Sequence, residues 1–242
     1  MGTAIKQLLA IIVIALLCSS ANSQNISELQ RTMTNFSRPA QDKTRDPIRK
    51  APKILQFMGV KEGDTVLDVI AMGGWYTEVL SYAVGENGKV YMQNNPIPIT
   101  EKSANERNER LSRLSNVENW IGAITDIPPN SIDFTMTALN FHDVYNRSAT
   151  DADNMLKSIL VALKPGGILA VLDHEGTEGA DNPTLHRIAF EDAVKAALNA
   201  GFVLVGTSDL LENPDDDHTL GPFDPSLQRR TDRFVLKLEK PR

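Results

Sequence analysis

Residues Val66–Tyr82 read VLDVIAMGGWYTEVLSY: an apolar run interrupted by Asp68, the pair Gly73-Gly74, and a segment opening at Trp75. The run reads as a buried strand, the glycines as a tight turn, and the stretch from Trp75 as a helix. Backbone N–H groups and the partial positive charge of a helix N-terminus then face one point, which is the layout of a nucleotide-binding strand-turn-helix unit. The G-x-G-x-x-G spacing is absent, and Met72 stands where another glycine would serve. A plain strand-turn-helix is the competing reading.

Outward from this unit the chain alternates between strand and helix patterns. On its N-terminal side, Asp42–Met58 reads as helical, broken by Pro47 and Pro52. On its C-terminal side, further strands are expected at Lys89–Gln93, Glu118–Ile124, Ile132–Leu139, Ile168–Leu172, Phe202–Thr207 and Arg233–Leu238. Between them lie a charged helix at Ser103–Leu114, an amphipathic one at Asp151–Leu163 with Asp151 as its N-cap, and one at Phe190–Ala200 closed by Gly201. Such alternation predicts an α/β fold with a mostly parallel sheet covered on both faces.

The chain opens MGTAIKQ, continues with ten apolar residues from Leu8 to Leu17, and then reads CSSANSQ. This is the outline of a signal peptide over residues 1–23, with cleavage after Ser23 and a periplasmic or secreted destination. A permanent membrane anchor needs about 20 apolar residues, so stable insertion is not expected after cleavage. The only cysteine, Cys18, leaves with that leader unless it is lipidated, and thiolate chemistry leaves with it. Residues 24–41 are polar and read as a flexible segment, and 42–242 as a single domain. Lysines and arginines number 25 against 31 carboxylates, for a net charge of −6. With no basic block, nucleic acid is not expected as a partner.

The element order, the glycine turn after Asp68 and ALKPGGILAVLDHEG at Ala162–Gly176 together resemble the class I S-adenosylmethionine (SAM) methyltransferases. More closely, GGWYTE at Gly73–Glu78, LDHEG at Leu172–Gly176, the NPDDDHT segment and FDPSLQRRTDRFVLK at Phe223–Lys237 resemble a family of bacterial predicted methyltransferases, many with signal peptides. The resemblance implies a Rossmann-like, seven-stranded sheet whose last strand is antiparallel, and SAM across the edges of its first strands. By position, Asp68, Ala71, Gly73 and Gly74 would flank the methionine part of the donor. The carboxylate expected after the second strand is replaced by Gln93-Asn94. The acidic residue expected after the third falls near Ala123, with Asp126 close by. Asn94 and Asp126 are therefore the remaining cofactor-binding candidates.

Three of the four histidines fall just beyond strands or in connecting loops: His142, His174 and His218; His186 follows His174. Parallel sheets bind ligands beyond the carboxyl ends of their strands, so His142 and His174 are expected to face one crevice. Either is a candidate general base toward a substrate O–H or N–H, with Asp143 or Asp173 orienting the ring. A metal site is the alternative use of these histidines, but no H-x-x-x-H or H-E-x-x-H spacing supports it. Asp215-Asp216-Asp217 lacks the glycine and glutamate of a calcium loop and reads as a solvated acidic turn. Arg45 and Arg49 either close over an anionic group or form a solvated helical face, the second being preferred.

The expectation is thus an exported SAM-dependent methyltransferase acting on a small molecule, with His142, His174 and Asp143 as catalytic residues and no metal. A non-catalytic small-ligand-binding protein on the same fold, or a histidine-based metal enzyme, are the alternatives.

Overall fold

A computed structural model describes residues 27–97 and 99–242. The expected leader, its cleavage point and Cys18 lie outside the described residues. No helix among the described residues is long and apolar enough to cross a membrane.

The N-terminal part is helical in pieces: α1 over 27–33, α2 at Ala40–Lys43, α3 at Asp46–Arg49 and α4 at Ala51–Met58. The single helix expected over Asp42–Met58 is divided because Pro47 and Pro52, which lack an N–H, each occupy the first turn of a new helix. Lys50, at φ 45°, makes the left-handed joint between them. The segment before Asp42, polar in sequence, nonetheless buries Leu29 and Met33. Arg38 pins it, donating to Asp46 through both terminal nitrogens at 2.6 and 2.9 Å and to the Met33 carbonyl.

Then follow β1 (Thr65–Val69), α5 (Trp75–Val84), β2 (Lys89–Asn94), α6 (Glu101–Arg113), β3 (Val117–Ile121), β4 (Ile132–Ala138), α7 (Phe141–Arg147) and α8 (Ala149–Ala162). The chain closes with β5 (Leu163–Gly176), α9 (Asn182–Leu185), β6 (Ile188–Ala189), α10 (Phe190–Asn199), β7 (Val203–Thr207) and β8 (Arg233–Glu239). Seven strands form one sheet in the order β3-β2-β1-β4-β5-β8-β7, with β8 antiparallel to both neighbours and the others parallel. The two-residue β6 adds an eighth, beside the end of β5. This is the doubly wound sheet expected from the sequence.

Side-chain alternation in the strands feeds two cores. Leu67, Val69, Leu169, Val171, Phe234 and Leu236 pack under α7, α8 and α10. Val66, Met136, Ala170, Leu172 and Val235 pack under α4 and α5. Two local expectations change. The cap of α8 is Ser148, whose side chain accepts from Asp151 N at 3.1 Å, so Asp151 sits one turn inside. The acidic loop is not wholly solvated: Asp216 is buried and accepts from Arg187 Nη2 at 2.8 and 2.9 Å.

Candidate active site

The carboxyl ends of β1 and β4 open into a cavity of about 480 Å³. Its floor is Asp68 and the turn Ile70–Gly74, one wall is Asn95 with Lys102, Ser103 and Glu106 of α6, and another is Leu139, Asn140 and Asp143. Arg45 and Arg49 reach over it from the N-terminal helices.

The turn is held in an uncommon shape. Ile70 and Met72 have φ of 53° and 54°, Gly74 has 82°, and Leu139 across the cavity has 63°. Left-handed backbone is disfavoured for side chains with a Cβ, most of all a branched one, so surrounding contacts must impose it. They do. Gln93 Oε1 accepts from Ile70 N at 3.0 Å, Asn94 Oδ1 accepts from Met72 N at 2.8 Å, and Asn140 Nδ2 donates to the Ile70 carbonyl at 3.0 Å. Arg110, buried, donates to the Gly73 carbonyl from behind at 2.6 Å and is paired with Asp42 and Glu78. A Cβ on Gly73 would displace the Glu106 carboxylate, and one on Gly74 would displace the end of Met92 and sit on left-handed backbone at φ 82°.

Asp68 closes β1 inside this site. It accepts from Thr77 Oγ1 at 2.6 Å, and burial, opposed by the Thr77 hydrogen bonds, pushes its pKa up to about 6. Asp68, Ala71, Gly73 and Gly74 all line the cavity, together on its floor. Asn94 and Asp126 do not. The Asn94 side chain is turned into the loop to satisfy Met72, and its neighbour Asn95 lines the cavity instead. Asp126 is exposed on a 3-10 turn, Ile124–Asp126, away from the cavity wall. Trp75 and Tyr76 are both buried, pack edge to face at 4.8 Å, and show the cavity only part of their surface.

A second cavity of about 480 Å³ adjoins the first, sharing Arg45, Arg49, Lys102 and Leu139 as walls. His174 faces it. Its Nδ1 lies 2.5 Å from Thr231 Oγ1, and Nε2 makes no hydrogen bond among the described residues. Burial, reinforced by Arg233 and His142, holds the His174 pKa well below the usual histidine value, so this ring is neutral.

His142 lies behind, 3% exposed and lining neither cavity, with its ring centre 5.6 Å from that of His174. Asp173 joins the two: its Oδ1 is 2.6 Å from His142 Nδ1 and accepts from His174 N at 2.8 Å. Asp143 Oδ1 bridges His142 Nε2 at 3.2 Å and His186 Nδ1 at 2.9 Å. Burial lowers the His142 pKa, but the bonds to Asp143 and Asp173 outweigh it and raise it to about 9. The ligand atoms of His142, Asp143 and His186 fall within 4.8 Å of one another, a spacing that suits a cation. Asp143 Oδ1, lying between the two rings, also links them directly by hydrogen bonds. His218 pairs with Asp232 at 3.1 Å and lines neither cavity. Sequence reading missed Asn95, Lys102, Ser103, Glu106 and Arg147 in the cavity wall; Ser103 and Glu106 lie one turn apart on α6, a spacing that puts them on one face without saying what that face meets.

Sheet order, glycine turn and cavity define a class I methyltransferase fold. Its likeness to a SAM-dependent methyltransferase from Aquifex aeolicus has a TM-score of 0.61 at 23% identity, over 88% of this chain and 97% of that one. Residues 44–198, more than half of the chain, match the ubiE/COQ5 methyltransferase family, and the protein belongs to that family. It is 34% identical over 121 residues to the ubiquinone/menaquinone biosynthesis C-methyltransferase UbiE of Escherichia coli (strain K12 / DH10B), covering 48% of this chain and 44% of that protein. It is 28% identical over 179 residues to the sterol 24-C-methyltransferase erg6 of Aspergillus fumigatus, covering 65% of this chain and 45% of that protein. The chain thus spans less than half the length of the curated relatives it matches.

Proposed function

We propose that this protein is an exported SAM-dependent methyltransferase acting on a small-molecule acceptor. The observation that carries the reading is the strained, glycine-bearing turn over Asp68, held open onto a cavity by the amides of Gln93, Asn94 and Asn140. Backbone strain kept at a ligand-sized cleft is a mark of a binding site, and family membership gives the ligand's class.

The residues fit SAM. Asp68 offers a carboxylate to the donor's cationic amino group, the turn offers close backbone approach at Gly73, and Asn95 with Glu106 offers acceptors for ribose hydroxyls in place of the missing strand-end carboxylate. When bound, the donor supplies a methyl carbon on a sulfonium, whose carbon–sulfur electron pair returns to sulfur as the acceptor's lone pair forms the new bond. The protein's own part is mainly to align donor and acceptor. His174, neutral and facing the adjoining cavity, takes the acceptor's proton on Nε2, with Nδ1–H donating to Thr231. His142 orients this region from behind through Asp173, and Asp143, on the wall of the first cavity, holds the His142 ring.

Export is supported by the leader-like residues 1–23 and by the resemblance to signal-bearing bacterial relatives. A net charge of −6 disfavours nucleic acid as the acceptor. The reading is tested by thermal shift with S-adenosylhomocysteine. A rise in melting temperature that Gly74→Ala abolishes supports it; no shift at millimolar ligand contradicts it.

A further inference from the structure

The second cavity is unusual in charge. Arg45, Arg49, Lys102, Arg229 and Arg233 line it together with the neutral His174, and no aspartate or glutamate does. The chain as a whole is acidic, so this concentration of cations runs against its overall balance.

These cations are poorly neutralised. Among the described residues, Arg49, Arg229 and Arg233 have no carboxylate within 4.0 Å, while Arg45 meets Asp42 only at 3.8 Å and Lys102 meets Glu106 only at 3.9 Å. Arg233 is 4% exposed; its Nε donates to Thr231 Oγ1 at 3.1 Å and one Nη to the Arg229 carbonyl, leaving the other Nη without a partner. Arg49 stacks over Trp75 and Tyr76, with its guanidinium carbon 4.4 and 5.1 Å from their ring centres. Arg229 lies over the Phe223 ring at 4.7 Å, on a backbone held left-handed at both Gln228 and Arg229. Stacking fixes each guanidinium plane and leaves its hydrogen-bonding edge available.

A buried guanidinium with no carboxylate in direct contact is costly, and a fold that keeps one beside two more has a use for it. We propose that this cavity is the acceptor pocket and that the acceptor carries an oxyanion, a carboxylate or a phosphate, gripped by Arg49, Arg229 and Arg233. This deepens the methyltransferase reading and rests on it for the word acceptor, but the anion site itself stands on the charge geometry alone. Planar guanidinium forks match both oxyanions bidentately, so the pocket selects charge and shape together. Placed there, the anion holds the rest of the molecule between His174 and the shared wall with the donor cavity. Burial lowers the pKa of Arg49 and brings that of Arg233 to about 10, outweighing the more distant carboxylates Asp42 and Asp68 for the first and Asp173 and Asp216 for the second.

The test is calorimetry on the full protein with benzoate, inorganic phosphate and the neutral benzamide, each with and without S-adenosylhomocysteine. At least one oxyanion is expected to bind ten times more tightly than benzamide, and which one does so separates carboxylate from phosphate. Arg229→Gln, at an exposed position outside the donor cavity, is expected to weaken that binding at least fivefold while leaving S-adenosylhomocysteine affinity within twofold. Arg49→Gln provides a second variant with the same expected loss. Equal binding of benzoate, phosphate and benzamide, binding of none, or full retention in both variants would overturn the proposal. Should the oxyanion bind and the homocysteine ligand not, the anion site stands and the donor reading falls.

Discussion

The Asn94 side chain accepts the Met72 backbone N–H at 2.8 Å and thereby holds a left-handed residue at the rim of the first cavity. The resemblance to class I methyltransferases implies a carboxylate at the end of the second strand. Here one amide has been given to the protein itself, and the next residue, Asn95, has taken the cavity wall.

Removing this clamp releases the turn. Asn94→Ala is expected to lower stability by about 1–2 kcal/mol, the cost of losing a part-buried side-chain to backbone hydrogen bond. It is also expected to weaken S-adenosylhomocysteine binding by about tenfold or more through loss of preorganisation. Urea denaturation and calorimetry on the one variant check both; a stable variant with unchanged affinity would show the clamp to be incidental.

Glycine substitution should act in opposite directions two residues apart. Gly74→Ala brings a Cβ against Met92 at φ 82° and should cost about 1–3 kcal/mol. Met72→Gly relieves a left-handed, 41% exposed methionine and should be neutral or stabilising by up to about 1 kcal/mol. Thermal melts of the pair read the sign directly.

His142 gives stability a pH dependence. Because its folded pKa is raised to about 9 from an ordinary 6.5, its contribution is fully present below 6.5 and is lost as pH rises through about 9. The expected size is roughly 2–4 kcal/mol. Urea midpoints from pH 6 to 10 should fall for the wild type and flatten for His142→Gln. Proton NMR of the imidazole gives the pKa itself.

Much of this architecture was legible from one chain because alternation within strands and glycine punctuation are local signals. Val66 and Leu67, adjacent in sequence, feed opposite cores, as a buried strand requires. That Asp68, Ala71, Gly73 and Gly74 line one cavity was legible, because the turn itself fixes the geometry. The placement of Asn94 was not, since alternation cannot tell whether a side chain at a strand end turns to ligand or to backbone. Nor could local pattern show that Arg49, from the first helices, and Arg233, from the last strand, meet around one cavity. The preferred reading of Arg45 and Arg49 as a solvated helical face failed for Arg49, which lies against Trp75 and Tyr76. Helix division at Pro47 and Pro52 was visible as breakage, but not as three separate starts.

Asp68 ties the donor reading to a titration. Burial raises its pKa to about 6, so its folding contribution is full below 3.8 and is lost as pH rises through about 6. Binding a cationic amino group needs the carboxylate, so donor affinity must move the other way and fall by about tenfold between pH 7.5 and 5. The decisive measurement is calorimetric titration of S-adenosylhomocysteine into the protein at those two pH values, with Asp68→Asn alongside. The account predicts one site per chain, weaker at pH 5, and an Asp68→Asn variant that binds at least tenfold more weakly and without pH dependence. Absence of heat at millimolar ligand, or wild-type affinity in Asp68→Asn, would contradict it.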